Sequence, residues 1–365
     1  MTFFRTRRFQ ACDVQEINDL FNSLQYSRGS PPRKLDQMRW LWHQAPGGPA
    51  DSWVIETRDG TGWRIIGHHA LCPVRFTLAD QDFLCAKTTN SFLLPEFRDK
   101  FLYLRFEQEC LREADARFDA TYSVASGTSR LRRAFGYENF GTWIQLERGF
   151  QPQHLILRAI AGLAGRYSYS ARVRLLHAFV SISVVPRRKP SIELIEHTAT
   201  DAASSKFFTD FWTEARPLAG MAPRRDSGDL GWRFWKNPDF TGSTLTYEWP
   251  EGGRAYCIVD THSNPLIYHL ADFFITPANT QRLESLLDAL FIWCAQRGAL
   301  ALGFLTTPRG LPDQLLDVFL RKMKPFALQR FVPTMELPRR LSPLGKTRTG
   351  GVLPDWNTTK FLVIA

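Results

Sequence analysis

The sequence lacks the features that identify disulfide scaffolds and zinc proteins. Its cysteines are spread over 365 residues, with no CxxC pair and no nearby histidine at the spacing of zinc ligands. The pattern predicts reduced, structural thiols and no metal site. The six residues concerned are Cys12, Cys72, Cys85, Cys110, Cys257 and Cys294.

Long hydrophobic runs are also missing. No stretch reaches the roughly 18 apolar residues of a membrane-spanning helix, and the N-terminal MTFFRTRRFQACDV has no apolar core of signal-peptide length. These absences predict a cytoplasmic protein. A hydrophobic content of 44% is typical of a folded globular chain, and the length suffices for two domains.

Acidic residues are absent from one segment. Residues 151–190 contain seven basic residues and no Asp or Glu, so most of the formal +10 charge lies there. An amphipathic basic helix in this segment would suit an anionic membrane surface, and it would equally suit a linker between two domains. Nucleic-acid binding is disfavoured, because the basic residues are embedded among Leu, Ile, Val and Ala.

The order of predicted elements indicates a mixed α/β (α+β) protein. In the first half, Asp13 is the predicted N-cap of a helix, and strands over 52–56, 63–76 and 82–94 precede the helix FRDKFLYLRFEQECLREADA and a strand over 120–125. The second half repeats this order, and both halves contain Trp-x5-Pro, at Trp40 and Trp232. We predict domains over 1–150 and 196–365, joined by a basic linker over 151–195.

Three motifs in this order resemble the Gcn5-related N-acetyltransferase (GNAT) superfamily in its bacterial tandem form. They are IIGHHALCPVRF, LLPEFRDKFLYLRFEQECL and VASGTSRLRRAFGYENFGTW. The resemblance implies two GNAT-like domains, each a twisted, mainly antiparallel sheet flanked by helices. It also implies that acetyl-CoA or a longer acyl-CoA is a substrate, with its pyrophosphate at a helix N-terminus.

The family's loop pattern has small residues at two positions where this chain has Phe101 and Tyr103, while Arg98 fits the pattern. Alternatively, PEFRDKF is only a capped helix start, with Phe101, Leu104 and Leu111 facing the core. If the pattern applies, the resemblance implies cofactor contacts by Leu94, Arg98, Asp99, Lys100, Phe101, Leu102 and Tyr103, and by Ser126 and Ser129 beyond the next strand. The matching stretch of the second half, 272–287, has no basic residue before Arg282 and is predicted to bind phosphate poorly.

Candidate catalytic residues follow from the need for a base and a donor in attack by an amine on a thioester. His68 and His69 alternate along a predicted strand, so one is expected inside and one outside, and His69 is the candidate base. Asn90 would contact the thioester or acceptor with Ser91. The family's tyrosine falls on Arg132 here, and Tyr137 or Tyr122 would replace it, with Tyr137 as the candidate. Both histidines equally fit structural roles.

These observations predict an acyl-CoA-dependent N-acyltransferase. The expected acceptor is an amine of a lipid or cell-envelope precursor, with peripheral contact to an anionic membrane through residues 151–190, at its inner face. The alternatives are a catalytically inactive scaffold with the same fold and an aminoacyl-tRNA-dependent transferase.

Overall fold

The computed structural model describes residues 3–26, 32–60, 62–78, 81–98, 100–114, 116–125, 138–142, 144–150, 189–204, 206–218, 222–261, 267–306, 311–325 and 334–340. These residues form two compact units. Unit 1 comprises the described residues of Met1–Gly141 and Pro333–Thr359, and unit 2 comprises those of Thr142–Val332 and Lys360–Ala365.

The first half of the chain contains seven described strands and three α-helices. In order they are β1 (Phe3–Arg8), α1 (Val14–Tyr26), α2 (Leu35–His43), β2 (Asp51–Asp59), β3 (Gly62–Leu78), β4 (Gln81–Leu93), α3 (Lys100–Ala114), β5 (Ala120–Ala125), β6 (Glu138–Thr142) and β7 (Ile144–Gly149). Short 3-10 turns lie at Ala11–Asp13 and Pro95–Phe97.

The described residues of the second half form five α-helices, a π-helix at Gly231–Trp235 and a 3-10 turn at Arg216–Leu218. The remaining elements are β8 (Ile195–His197), α4 (Ala199–Ser204), α5 (Lys206–Ala215), β9 (Ala222–Pro223), α6 (Ser227–Leu230), β10 (Ser243–Glu248), β11 (Arg254–Asp260), β12 (Ile267–Thr276), α7 (Thr280–Gln296), β13 (Ala301–Thr306), α8 (Asp313–Lys322), β14 (Lys324–Pro325) and β15 (Thr334–Arg340).

The sheet of unit 1 has the strand order β1-β2-β3-β4-β5-β15-β6. Pairing is antiparallel from β1 to β4 and between β15 and β5, whereas β4 and β5 are parallel and are joined by α3. Both faces of β2 and β3 are covered. One face packs with Ile17 of α1 and Trp42 of α2, and the other packs with Phe106 and Leu111 of α3.

Unit 2 has a second sheet, in the order β14-β7-β13-β12-β11-β10-β8. Here β12 and β13 are the parallel pair, and α7 joins them as α3 joins β4 and β5. Its large core includes Leu286 and Leu290 of α7 and Phe319 of α8. The predicted fold class, a mixed α/β chain with two mainly antiparallel sheets flanked by helices, is confirmed.

Each sheet contains one strand that lies far along the chain from the strand it pairs with. β15, from near the C-terminus, pairs with β5 in unit 1, and β7, from the first half, pairs with β13 in unit 2. The domain boundaries at 1–150, 151–195 and 196–365 remain a prediction. Most of the predicted linker lies outside the described residues.

An ion-pair network holds β1 and the start of α1 to β2. Arg7 donates two hydrogen bonds to the Asp13 carboxylate, at 2.7 and 2.9 Å, and its guanidinium also binds buried Glu56. Burial alone would raise the pKa of Asp13, but hydrogen bonds from Arg7 and from the Gln10 N–H hold it below its ordinary value. The prediction that Asp13 caps α1 is therefore wrong: the helical turn begins at Ala11, and Asp13 faces back toward Gln10.

Removing Arg7 should expose how much unit 1 depends on this network. We expect Arg7→Met to lower the free energy of unfolding by about 3 kcal/mol, because two buried carboxylates lose a shared partner. Arg5 also binds Glu56, but its side chain is 46% exposed, so Arg5→Met should cost less than about 1 kcal/mol. Urea unfolding followed by circular dichroism measures both; equal losses would contradict a dominant role for Arg7.

Candidate functional site

β4 carries one extra residue where it pairs with β3. His68 lies opposite Phe92 and Ala70 lies opposite Thr89, so His69 faces two residues, Asn90 and Ser91. Asn90 has a φ of 51°, in the left-handed region that asparagine tolerates better than most residues. Such a bulge bends a strand and redirects its side chains and backbone groups.

The bulge lies just beyond the point where β4 stops pairing with β5. Parallel pairing joins Cys85–Lys87 to residues 120–122, although β4 itself continues to Leu93. Within the strands that the structure describes, the edge of β4 after Lys87 has no partner on the β5 side. Backbone groups along this edge are therefore positioned to hydrogen-bond a ligand.

His68 is fully buried beside the bulge, on the face of the sheet that α1 and α2 cover. Its Nδ1 lies 2.9 Å from the Asn90 carbonyl oxygen, and its Nε2 lies 2.6 Å from Ser52 Oγ. The ring packs near those of Trp42 and Phe92. Burial lowers the pKa of His68 to about 4, so the imidazole is neutral near pH 7 and supports the bulge as a structural group.

His69 points to the opposite face, toward α3, with its ring near Trp53 and Phe106. Its Nδ1 lies 2.9 Å from Ser91 Oγ. The predicted alternation of the two histidines is confirmed, but the prediction that one of them is exposed is wrong. Both are fully buried, because helices cover both faces of β3.

The predicted residues Asn90 and His69 thus meet at the bulge, with the half-buried Ser91 between them. Tyr137, Ser126, Ser129 and Asp99 lie outside the described residues, so their roles stay predictions.

Arg33 is a residue of the site that the sequence patterns did not single out. It donates a hydrogen bond from Nη1 to Asn90 Oδ1, and its guanidinium lies 4.7 Å from the ring centroid of Phe21. Its own backbone is fixed by the side chain of Asn22, which accepts from the Arg33 N–H and donates to its carbonyl oxygen. Arg33 therefore connects α1 to the bulge and holds the Asn90 side chain.

The same arrangement recurs in unit 2. Ile258 pairs with Asp272 and Val259 with Leu270, which leaves one extra residue in β12. Fully buried Arg225 binds Asp272 from Nε at 3.2 Å. Arg33 and Arg225 each stand seven positions before the tryptophan of Trp-x5-Pro, which is the sequence signal that could have identified both.

The loop after β4 leads directly into α3. Leu94 is buried and donates its N–H to the Ile66 carbonyl oxygen at 2.8 Å, so this group is occupied by the sheet. Arg98 is exposed and donates from Nε to the Leu93 carbonyl oxygen at 3.0 Å. The first turn of α3 contains no acidic residue, and Asp99, which directly precedes it in the sequence, is outside the described residues.

The side chains of that turn point in different directions. Phe101 is 77% exposed, which contradicts its assignment to the core, whereas Leu111 is buried as the capped-helix alternative requires. Leu102 and Tyr103 are half-buried against the core cluster beneath α3. The side chain of Phe101 therefore extends into solvent.

The corresponding helix start in unit 2 has a different arrangement. Asn279 caps α7 by accepting from the Arg282 N–H at 2.8 Å. The Arg282 guanidinium donates to the Gly252 carbonyl oxygen at 2.6 Å and stacks over Trp249. The helix start and its nearest cation are thus engaged within the protein, which agrees with the predicted poor phosphate site.

The thiols, metal ligands and helix lengths also bear on the sequence predictions. All six cysteines are free, and five of them are buried; burial raises the pKa of the Cys72 thiol to about 12. Over the described ranges, no group of three or more His, Cys, Asp and Glu side chains could hold a metal ion. No helix in the same ranges is both long enough and apolar enough to cross a membrane.

The buried state of His68 predicts a specific pH dependence. The unfolded imidazole takes up a proton below about 6.5 and the folded one only near 4, so stability falls as the pH drops through this window. Between pH 7 and pH 5 the free energy of unfolding should fall by about 2 kcal/mol from this group. His68→Asn should remove that part of the slope in urea titrations and the exposed control His43→Asn should not; an unchanged slope in His68→Asn would refute the assignment.

No protein-family model matches the chain, and no curated protein sequence matches it. Several solved structures are similar to the chain in fold. A probable N-acyltransferase from Enterococcus faecalis V583 has a TM-score of 0.61 at 13% identity, and the match covers 93% of this chain and 73% of that one. Saccharomyces cerevisiae N-myristoyltransferase with bound myristoyl-CoA has a TM-score of 0.56 at 12% identity, over 99% and 85% of the two chains.

A GCN5-related N-acetyltransferase from Anabaena variabilis has a TM-score of 0.51 at 13% identity, and the match covers 93% of this chain and 73% of that one. Identities this low establish the architecture and not the activity. With its mixed sheet and the crossover helix α3 between parallel strands, the chain has the fold of the Gcn5-related N-acetyltransferase superfamily.

Proposed function

We propose that the chain is an acyl-CoA-dependent N-acyltransferase that uses unit 1 as its donor site. The observation that carries the proposal is the bulge at Asn90 and Ser91, located between the end of the β4–β5 pairing and the start of α3. The similar yeast structure contains bound myristoyl-CoA, which supports an acyl-CoA as the donor here.

The pyrophosphate of the donor would bind at the N-terminus of α3. Backbone N–H groups at the start of a helix are the usual donors to a bound phosphate, and the helix dipole favours an anion there. Arg98 and Lys100 add positive charge, and the exposed position of Phe101 keeps its ring away from the core side of the turn. The pantetheine arm would follow the edge of β4 beyond Lys87, and Ser126 and Ser129 are proposed to contact it.

Transfer would proceed by direct attack. The amine nitrogen forms a bond to the thioester carbonyl carbon, the C–S bond breaks, and the products are an amide and free coenzyme A. The amine must lose a proton, which Ser91 Oγ would pass to His69, and the thiolate must gain one. Asn90 is proposed to contact the thioester, and Tyr137 is the proposed proton donor to the thiolate.

We propose an amine of a lipid or cell-envelope precursor as the acceptor. The acid-free basic segment 151–190 supports this, because its composition suits an anionic membrane surface at the inner face of the membrane. Long-chain amines and amino sugars are the acceptor classes to compare first.

Donor binding can be tested at Arg98. Arg98→Glu should weaken binding of acetyl-CoA by about tenfold or more in calorimetric titrations, because a cation near the pyrophosphate becomes an anion. Arg112→Glu, at the other end of α3, is the matched control and should bind normally. Unchanged affinity in Arg98→Glu would overturn the loop assignment, and a wild-type chain that binds no coenzyme A would favour the inactive scaffold.

The proton relay can be tested at His69. With myristoyl-CoA or acetyl-CoA as donor and dodecylamine or glucosamine as acceptor, thiol release should fall about 100-fold in His69→Gln. Affinity for the donor should be unchanged, and the exposed His43→Gln should retain full activity. Full turnover in His69→Gln would exclude His69 as the proton acceptor but would not contradict the proposed donor-binding site.

A further inference from the structure

Exposed aromatic side chains are concentrated at one end of unit 1. Over the described ranges, seven large hydrophobic side chains are exposed, and the four aromatic ones among them are Phe3, Phe4, Trp63 and Phe101. Their exposed fractions run from 38% for Trp63 to 77% for Phe101. The other three, Ile195, Leu218 and Leu320, are aliphatic and belong to unit 2.

The strand register brings these aromatics together. Phe3 pairs with Arg58, which pairs with Trp63, so these three side chains share one face of the sheet. Phe4 belongs to the opposite face, where its ring lies 6.2 Å from that of Phe97, next to the start of α3. Aromatic groups thus project from both faces at the same end of the sheet.

Arginines accompany the aromatics. Arg5 stacks over the ring of Trp63 at 4.1 Å, and Arg64 stacks over Phe97 at 5.3 Å. Arg58 and Arg105 are also exposed. These residues form one surface at the end of the sheet, with members from both of its sides, which we call the aromatic–arginine face. It consists of Phe3, Phe4, Arg5, Arg58, Trp63, Arg64, Phe97, Phe101 and Arg105.

Acidic groups on this face are fewer. Glu96 and Glu109 line a groove of about 690 Å³ between β1 and α3, together with Phe4, Phe101 and Arg105. Glu56 is buried and is bound by Arg5 and Arg7. Outside the ion pair of Arg5 with Glu56, the exposed arginines of this set are Arg58, Arg64 and Arg105.

We propose that the aromatic–arginine face docks on the surface of an anionic lipid bilayer. Phe and Trp side chains insert at the boundary between headgroups and acyl chains, while arginines bind lipid phosphates. A peptide partner would cover one face of the sheet, whereas a bilayer surrounds aromatic groups that project from both. This inference does not depend on the proposed activity, and it names a different surface from residues 151–190.

Docking in this way would place the start of α3 beside the bilayer, because Phe97 and Phe101 flank it. A donor entering at the N-terminus of α3 would then approach from the membrane surface.

Vesicle flotation with the full chain tests the proposal. The vesicles contain phosphatidylcholine alone or with about 30% phosphatidylglycerol, so that the contribution of charge is separated from that of apolar insertion. The wild-type chain should float with the anionic vesicles. Phe3→Ser combined with Phe101→Ser should weaken binding by about tenfold or more on both compositions. Arg58→Glu combined with Arg64→Glu should weaken it on the anionic vesicles only.

Two matched controls distinguish the aromatic–arginine face from other surfaces of the chain. Leu218→Ser combined with Leu320→Ser removes exposed apolar groups of unit 2 and should leave flotation unchanged. Arg172→Glu combined with Arg174→Glu tests the basic segment. Adding Phe3→Ser and Phe101→Ser to that double variant should still weaken vesicle binding. Absence of wild-type flotation, flotation insensitive to the face variants, or self-association that requires Phe101 in place of vesicle binding would each overturn the proposal.

Discussion

The extra residue in β4 is the constraint on which the candidate site depends. An unbroken ladder with β3 would leave Asn90 and Ser91 as ordinary strand residues on opposite faces. The inserted residue instead puts Asn90 in the left-handed region and turns its carbonyl oxygen to His68 and its side chain to Arg33. The groups around it are buried and neutral or fixed by hydrogen bonds, which gives the bulge one conformation.

Both units have a β-bulge contacted by an arginine, but the partner of that arginine differs. In unit 2 the arginine at the bulge binds a carboxylate, and both Arg225 and Asp272 are fully buried. In unit 1 the partner is the neutral, half-buried Asn90. The helix starts after the two bulges also differ, because the Asn279 side chain caps α7 by accepting a hydrogen bond from the Arg282 N–H. The Arg225–Asp272 pair at the bulge of unit 2 is therefore fully buried, whereas Asn90 and Ser91 at the bulge of unit 1 are half-buried.

Element order and periodicity were sufficient to predict the fold class, because each strand and helix has a clear apolar pattern. The alternation of His68 and His69 followed from strand geometry, but their burial depended on helices packing on both faces, which no local pattern encodes. Asp13 was misassigned for a similar reason: its partner, Arg7, lies on a neighbouring strand. Arg33 could have been found, since its spacing to Trp40 recurs at Arg225 and Trp232. The exposure of Phe101 could not, because apolar residues at helical spacing usually face a core.

The position of β15 has a consequence for how the protein is made. Its partner β5 ends at Ala125, more than 200 residues earlier in the chain, and loop closure over that distance is slow compared with local pairing. A ribosome releases the N-terminal part first. Until β15 has been synthesised, the outer edge of β5 therefore lacks its final neighbour, and the first sheet stays incomplete.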